Sequence, residues 1–435
     1  MDKLIKLAEK CCDRVEVYSL DEHLNQINFE NGRLKEIETS LQSGVALRII
    51  KDNKLGFTYT KNLQDREALI ENALNSLKGG VQAEFDFPET KNLPELKSYD
   101  ESIEELSNET VVKECERVVK KISERSKGQV NITAVTKSTR IRIINSRGTD
   151  LTARISNYYL YTSLLFPNSY AAINRLLLEK KFIRAPDDYI DFIVNTYNQS
   201  IKEVSPPGGP MKVLFLPDTI YVLLWRIQYS TSGESIYRNN SPLLDKLGKK
   251  IFHEAFTLIN DPLNESRESA RAFDDEATPT QILPIIENGI LKNFYYDLNY
   301  SKRMDKKPTG TGFKTGRWEN ETIALKPGPS LNHLYIKPGS LSFPELLNSI
   351  DQGIIVAGAL GAHSGNIPNG DFSIGLSPGL YIKNGKIVGR VKDAMVAGNV
   401  YGVLQNIIAI EDRVYPSSLG YFPAILFDKV SVASR

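Results

Sequence analysis

Residues 44–60, GVALRIIKDNKLGFTYT, read as two short strands around the turn Lys51-Asp52-Asn53-Lys54. The same pattern extends back toward the amino terminus. Val15, Val17 and Tyr18 precede LNQINFE (24–30), and Asn31-Gly32 joins that run to RLKEIETS (33–40). Asn-Gly favours a type I′ hairpin, because both central residues must take positive φ. Residues 14–63 therefore predict a meander of strands.

Forward of this meander the period changes. Gln64–Lys78 predicts a helix, with Leu69, Ile70, Ala73, Leu74 and Leu77 on one face. Ala83–Leu96 is a loop rich in proline and acids. A second helix is predicted over Ser102–Lys127, where Val111, Val112, Cys115, Val118, Val119 and Ile122 recur at three and four, and a third over Asp187–Val204. Between them VNITAVT (130–136), TRIRIIN (139–145) and TDLTARISNYYLYTSLLF (149–166) read as strands, with a turn at Ser146-Arg147-Gly148. MDKLIKLAEKCC, at residues 1–12, predicts the first helix of the fold rather than a secretory signal.

The densest Pro/Gly cluster, SPPGGP at Ser205–Pro210, marks the expected lobe boundary. After it short strands dominate. Asn288-Gly289 joins QILPIIE to ILKNFYYDL, and Asn384-Gly385 joins LYIK to KIVGRV, with helical pieces at 217–229, 343–351 and 400–408. Strands clustered as hairpins, with helices set apart, predict an α+β fold rather than a doubly wound parallel sheet. The expectation is a two-lobed, antiparallel-sheet-rich molecule, with an N-terminal α/β lobe over 1–204 and a mostly β C-terminal lobe over 211–435. The apolar run Gly353–Ala362 is about half the roughly 20 residues that span a bilayer.

Across 435 residues, Lys plus Arg is 54 and Asp plus Glu is 53, a formal net charge of +1. No global field draws the chain to nucleic acid or an anionic membrane, so neither is expected as a direct partner. Three cysteines, Cys11, Cys12 and Cys115, form an odd set with an adjacent pair, which fits a reducing compartment and a cytoplasmic protein.

Chemistry is sparse. The four histidines, His23, His253, His333 and His363, are far apart. His253-Glu254 opens the zinc-protease pattern, but Thr257 and Leu258 stand where a second histidine would fall, and the pair reads as structural. Asp274-Asp275-Glu276 offers oxygens suited to magnesium or calcium, yet acidic clusters at strand entries more often pair with nearby backbone N–H groups. Thr309–Gly316 (TGTGFKTG) lacks phosphate-loop spacing and reads as a flexible or ligand-facing loop. Ser364 next to His363 makes no nucleophile–base dyad on extended chain, since neighbours point to opposite faces. Lys292–Lys307 alternates as a half-buried strand would. Glycine-rich loops let backbone approach a ligand closely, so a substrate pocket is expected where Thr309, Gly310 and Gly312 meet His363, Ser364, Asn366 and Asp371. No catalytic residue, metal ligand or cofactor is assigned.

An ordered set of phrases carries more information than any of these motifs. GVALRIIKDNKLGFTYT is followed by Ser241 with Leu247-Gly248, FDDEATPT (273–280), IENGILKNF (286–294) and PTGTGF (308–313). NHLYIKPG (332–339), NGDFS (369–373), YIKNGKI (381–387) and Gly398-Asn399 come after. In that order and spacing the chain resembles the TldD/PmbA family, described as modulators of DNA gyrase and as metallopeptidases. In that family the TldD type carries HExxxH on a helix early in the second lobe and a cysteine near the carboxyl terminus as zinc ligands. The corresponding stretch here, Tyr221–Tyr229 (YVLLWRIQY), has no histidine, glutamate or cysteine, and no cysteine follows Cys115. The resemblance is therefore to the PmbA, or TldE, type. It implies a metal-free component of a peptidase complex that takes peptides and unfolded chains, with a zinc-bearing TldD-like sister subunit. A non-proteolytic peptide-binding or regulatory homodimer, acting in the manner of a gyrase modulator, is the alternative. Ala277 stands where the family has glycine after Asp-Asp-Glu, and Thr311 where asparagine is common.

Overall fold

The computed structural model describes residues 1–316 and 321–434. The predicted meander forms with longer strands than expected. β1 (Arg14–Glu30) and β2 (Arg33–Lys51) are the arms of one long hairpin, and β3 (Lys54–Thr60) returns along β2. Asn31 and Gly32 have φ of 51° and 70°, and Asp52 and Asn53 have φ of 51° and 56°, the left-handed pairs that these turns require. Val81–Gln82 is β4. With β5 (Gln129–Asn145), β6 (Asp150–Leu165) and β7 (Ala172–Glu179) they form a seven-stranded antiparallel sheet in the order β4-β3-β2-β1-β5-β6-β7.

Helices cover this sheet. α1 (Asp2–Ala8) and α2 (Arg66–Ser76) close one end, and α2 approaches β3 so tightly that a Cβ on Gly56 would lie 2.5 Å from the Ala73 carbonyl. The second predicted helix is broken. α3 covers only Ser102–Glu105, and α4 runs Asn108–Ser123. Ser107 between them is extended, because its side chain accepts the Thr110 N–H as an N-cap, a role incompatible with a continuous helix. α5 (Asp187–Gln199) ends sooner than expected, and Glu203–Val204 pairs instead with Arg390–Val391 as a strand.

The second half is organised by a ten-stranded mixed sheet. Its central strand, Gly209–Phe215, is parallel to Gln352–Val356 on one side and antiparallel to Ile425–Ser434 on the other. A smaller six-stranded sheet includes Leu258–Asn260, Leu283–Glu287 and Leu334–Ile336. α6 (Tyr221–Thr231), α7 (Gly233–Tyr237), α8 (Leu298–Arg303), α9 (Phe343–Asn348) and α10 (Val400–Val403) are short. Lys292–Lys307 is not a strand: Phe294, Tyr295 and Tyr296 are buried in a loop, and α8 begins where the Asp297 side chain caps the Tyr300 N–H. The molecule is α+β and two-lobed, with mostly antiparallel sheets. No described helix is long and apolar enough to cross a membrane.

The core does not stop at Ser205–Pro210. Cys115 and Val118 of α4 and Ile190 and Ile193 of α5 pack with Tyr158 and Leu160 of β6, and with Leu214, Ile355, Leu380 and Leu426 of the second sheet. α4 and α5 are thus filling between two sheets. Burying such side chains is worth about 1.5–3 kcal/mol each, which joins the lobes here by apolar contact.

Candidate functional site

The acidic triplet lies at a second, polar junction of the lobes. Asp274, Asp275 and Glu276 are all buried. The Asp274 carboxylate accepts the N–H groups of Glu276 and Thr278 at 2.9 Å and of Gly312 at 2.8 Å. Asp275 accepts the Lys314 N–H and Arg271 Nη1, both at 2.8 Å. Glu276 accepts the Leu298 N–H and Arg48 Nη1, both at 2.8 Å, while Arg48 also donates Nε to Glu16 at 2.8 Å. β1 and β2 are thereby tied to the second lobe. Burial raises the Glu16 carboxyl above its usual range against the pull of Arg48, and raises Asp274 further with Glu276 beside it. Ala277 has φ of 59°, in the left-handed region that glycine adopts at least cost.

This triplet organises the Thr309–Gly316 segment. Thr309–Lys314 is buried and pinned rather than flexible: Thr309 Oγ1 accepts the Tyr296 N–H, and Gly310 packs on Pro279 and Thr280. Its last residues, Thr315 and Gly316, emerge into a cavity of about 680 Å³ along α6.

α6 faces that cavity with one stripe. Val222, Leu223, Leu224 and Ile227 point into the core, while Tyr221, Trp225, Gln228 and Tyr229, at i, i+4, i+7 and i+8, line the opening. The facing wall includes Tyr295, Leu331 and Asn332. Gln228 Nε2 is buried with no hydrogen-bond partner among the described residues. The stripe offers phenols, an indole and a carboxamide; zinc prefers thiolate, imidazole or carboxylate, so the residues present do not fit that ion. Among the described residues no group of three or more His, Cys, Asp or Glu side chains could hold a metal.

The seven expected pocket residues fall into two sets. Thr309, Gly310 and Gly312 belong to the pinned segment against the acidic turn. The second set lies on another face of α6, where Arg226, fully buried, donates Nε to the Asp371 carbonyl at 2.8 Å and Nη2 to the Ser364 carbonyl at 2.9 Å. Burial pushes this guanidinium down to about 10. The Asp371 carboxylate accepts Asn399 Nδ2 at 2.8 Å, and His363 and Asn366 are exposed. None of the seven lines the α6 cavity. Sequence reasoning missed Trp225 and Gln228, although the helical spacing of the polar and aromatic positions in YVLLWRIQYST contains the signal. His253 and Glu254 sit in a turn outside any helix; His253 Nδ1 accepts the Ala255 N–H and Glu254 pairs with Lys250.

Residues 208–434 match the model of the PmbA/TldA metallopeptidase C-terminal domain, and residues 15–77 that of PmbA/TldA metallopeptidase domain 1. An uncharacterized protein of Methanocaldococcus jannaschii is 27% identical over 95% of both chains. A metalloprotease of the same archaeon is 26% identical over 91% of this chain and 89% of its own. The crystal structure of TldE from Thermococcus kodakarensis superposes with a TM-score of 0.90 at 24% identity, covering 100% of this chain and 99% of that one. The hairpin phrase, the acidic turn and the stripe of α6 all fall within the two matched segments, and on that agreement the chain belongs to the PmbA/TldD metallopeptidase family.

Proposed function

We propose that this protein is the zinc-free component of a TldD/TldE-type metallopeptidase assembly, in which it docks peptides or unfolded chains while a TldD-like sister subunit holds the ion. The observation that carries this reading is the face of α6. Where the sister type has HExxxH, this helix presents Tyr221, Trp225, Gln228 and Tyr229 to a cavity large enough for several residues of extended chain. Aromatic side chains offer contact area at low entropic cost, and the unpartnered carboxamide offers a donor to a main-chain carbonyl. The relatives named as metalloproteases support the reaction class of the assembly. Three unpaired thiols support a reducing, cytoplasmic setting.

The test is metal analysis and cleavage of an unstructured protein, on this chain alone and after co-expression with an HExxxH-bearing relative. No stoichiometric zinc alone, and one zinc per pair with cleavage after co-expression, is the expected result. Tightly held zinc in the isolated chain, or robust hydrolysis by it, overturns the reading. Peptide binding without any effect on a sister's cleavage would favour a regulatory homodimer.

A further inference from the structure

The α6 cavity continues past Asn332 and Ser418 into a cleft between the lobes. Adjoining this cleft is a more open chamber of about 310 Å³, lined in part by Tyr18, Arg271, Phe313, Lys314 and His333. Asn332 borders all three spaces.

Two side chains of this chamber carry unmet hydrogen-bonding capacity. Arg271 is 6% exposed, and its Nη1 donates to Asp275, but Nε and Nη2 have no acceptor among the described residues. His333 is 9% exposed, and its Nε2 lies 2.7 Å from the Ser269 carbonyl. A carbonyl only accepts, so Nε2 carries a proton. Burial holds the imidazole's pKa down at about 4, so the ring is neutral at pH 7, and Nδ1 is a lone-pair acceptor. It too has no partner among the described residues. Both groups lie against the Phe313 ring, the guanidinium 5.4 Å and the imidazole 5.9 Å from its centroid.

The charges favour an anion. Arg271, Lys314 and Lys137 line the chamber against Asp275 and Glu22; Lys137 pairs with Glu22 at 2.6 Å and both Asp275 oxygens are engaged, by Arg271 and by the Lys314 N–H, so Lys314, whose Nζ donates to the Leu325 carbonyl, is the cation in excess. A free guanidinium edge matches the two oxygens of a carboxylate, and an adjacent acceptor matches an N–H. A terminal residue of a peptide supplies both groups on one backbone unit, whereas an acidic side chain supplies only the first.

We propose that this chamber anchors the C-terminal carboxylate of a peptide, with Arg271 Nε and Nη2 donating to its oxygens and His333 Nδ1 accepting the N–H of the terminal residue. The proposal rests on the peptide-docking reading and gives it a direction, with the chain running from the chamber past Asn332 to α6.

The test uses fluorescence anisotropy with the full chain and three short, N-terminally labelled peptides of one neutral sequence: free acid, carboxamide, and carboxamide with one internal glutamate. The free acid is expected to bind about tenfold or more tighter than either amide, as charge-assisted hydrogen bonds imply. Equal binding of acid and amide overturns the anchor and leaves peptide docking standing. An internal glutamate that restores full affinity overturns the C-terminal assignment, and failure of all three to bind overturns the anchor and the docking reading together. Arg271→Gln should erase the preference for the acid. Because that change also disturbs Asp275, His333→Phe, which leaves the Arg271–Asp275 pair in place, serves beside it and should weaken the acid more than the amide. Unchanged preference in both folded variants overturns the assignment.

Discussion

The acidic turn at Asp274–Glu276 and the cavity-facing stripe of α6 invert what their residue types suggest. Three adjacent carboxylates look like a cation site, yet each is buried and engaged by backbone N–H groups or a guanidinium. The α6 stripe has no carboxylate, imidazole or thiol, yet it opens onto space and leaves the Gln228 amide nitrogen without a partner among the described residues. Satisfied polar groups build structure; unsatisfied ones beside a cavity are available to a ligand. The two regions are linked mechanically, because the turn pins Gly312 and Lys314, and the next residues, Thr315 and Gly316, form part of the cavity wall.

The sharpest way to break this contrast is Arg48→Ala. It leaves Glu16 and Glu276 buried without their shared cation, at an expected cost of about 3–5 kcal/mol in urea unfolding. Burial already raises the Glu16 carboxyl, and without Arg48 nothing as close holds it down, so its charge penalises the fold at neutral pH and the penalty is relieved as it protonates. The gap between variant and parent should therefore narrow as pH falls from about 7 to 5. A gap that is flat across that range would mean the turn is held by packing rather than charge. Gly312→Ala comes next. Its Cβ would lie 2.3 Å from Glu276 Oε2, an oxygen held by the Leu298 N–H, so thermal unfolding should show a loss of about 1–3 kcal/mol. An unchanged midpoint would show that the turn is looser than its hydrogen bonds imply.

Much of the frame was legible in local sequence. Asn288-Gly289 and Asn384-Gly385 turn with positive φ at both residues, as Asn31-Gly32 does, because Asn-Gly chemistry is decided within two residues. The preference for backbone pairing by Asp274–Glu276 was legible for the same reason, as three acids in a row seldom remain unpaired. Other features depended on distant partners. Nothing near Thr309–Gly316 announces that Asp274 and Asp275, some 38 residues away in sequence, will pin it. Lys292–Lys307 alternates like a strand, but Asp297 captures the Tyr300 N–H and starts a helix. The residues expected to share a pocket separate because Arg226 binds the Ser364 and Asp371 carbonyls from the core side of α6, while Asp274 and Asp275 bind the other set. A single arginine in an apolar helix gave no hint of that grip.

A pH-dependent effect tests the margin of the polar junction. Burial, reinforced by Glu276, pushes Asp297 up to about 8, whereas an unfolded aspartate titrates near 4. Across that window the folded chain retains a proton that the unfolded chain has lost, so this group lowers stability as pH rises, by at most about 1.4 kcal/mol per unit. Asp297→Asn keeps an oxygen for the Tyr300 N–H, now 2.7 Å away, and removes the titration. The variant should gain on the parent between about pH 4 and 8 and run parallel to it above. Parallel behaviour throughout would place Asp297 outside the coupled network.

The mildest substitution separates the two regions most cleanly. Gln228→Met keeps the length of the side chain, removes a buried amide whose nitrogen has no partner among the described residues, and adds apolar surface to the α6 wall. Losing an unsatisfied donor should raise stability by about 0.5–1 kcal/mol. If the stripe docks peptide, the same change should weaken peptide affinity, so stability and binding move in opposite directions. Removing a carboxylate of the acidic turn should not behave this way, because each of the three leaves its N–H or guanidinium donors unsatisfied. A methionine variant that is both more stable and fully competent in binding would assign Gln228 to packing and shift the docking role onto the aromatic side chains around it.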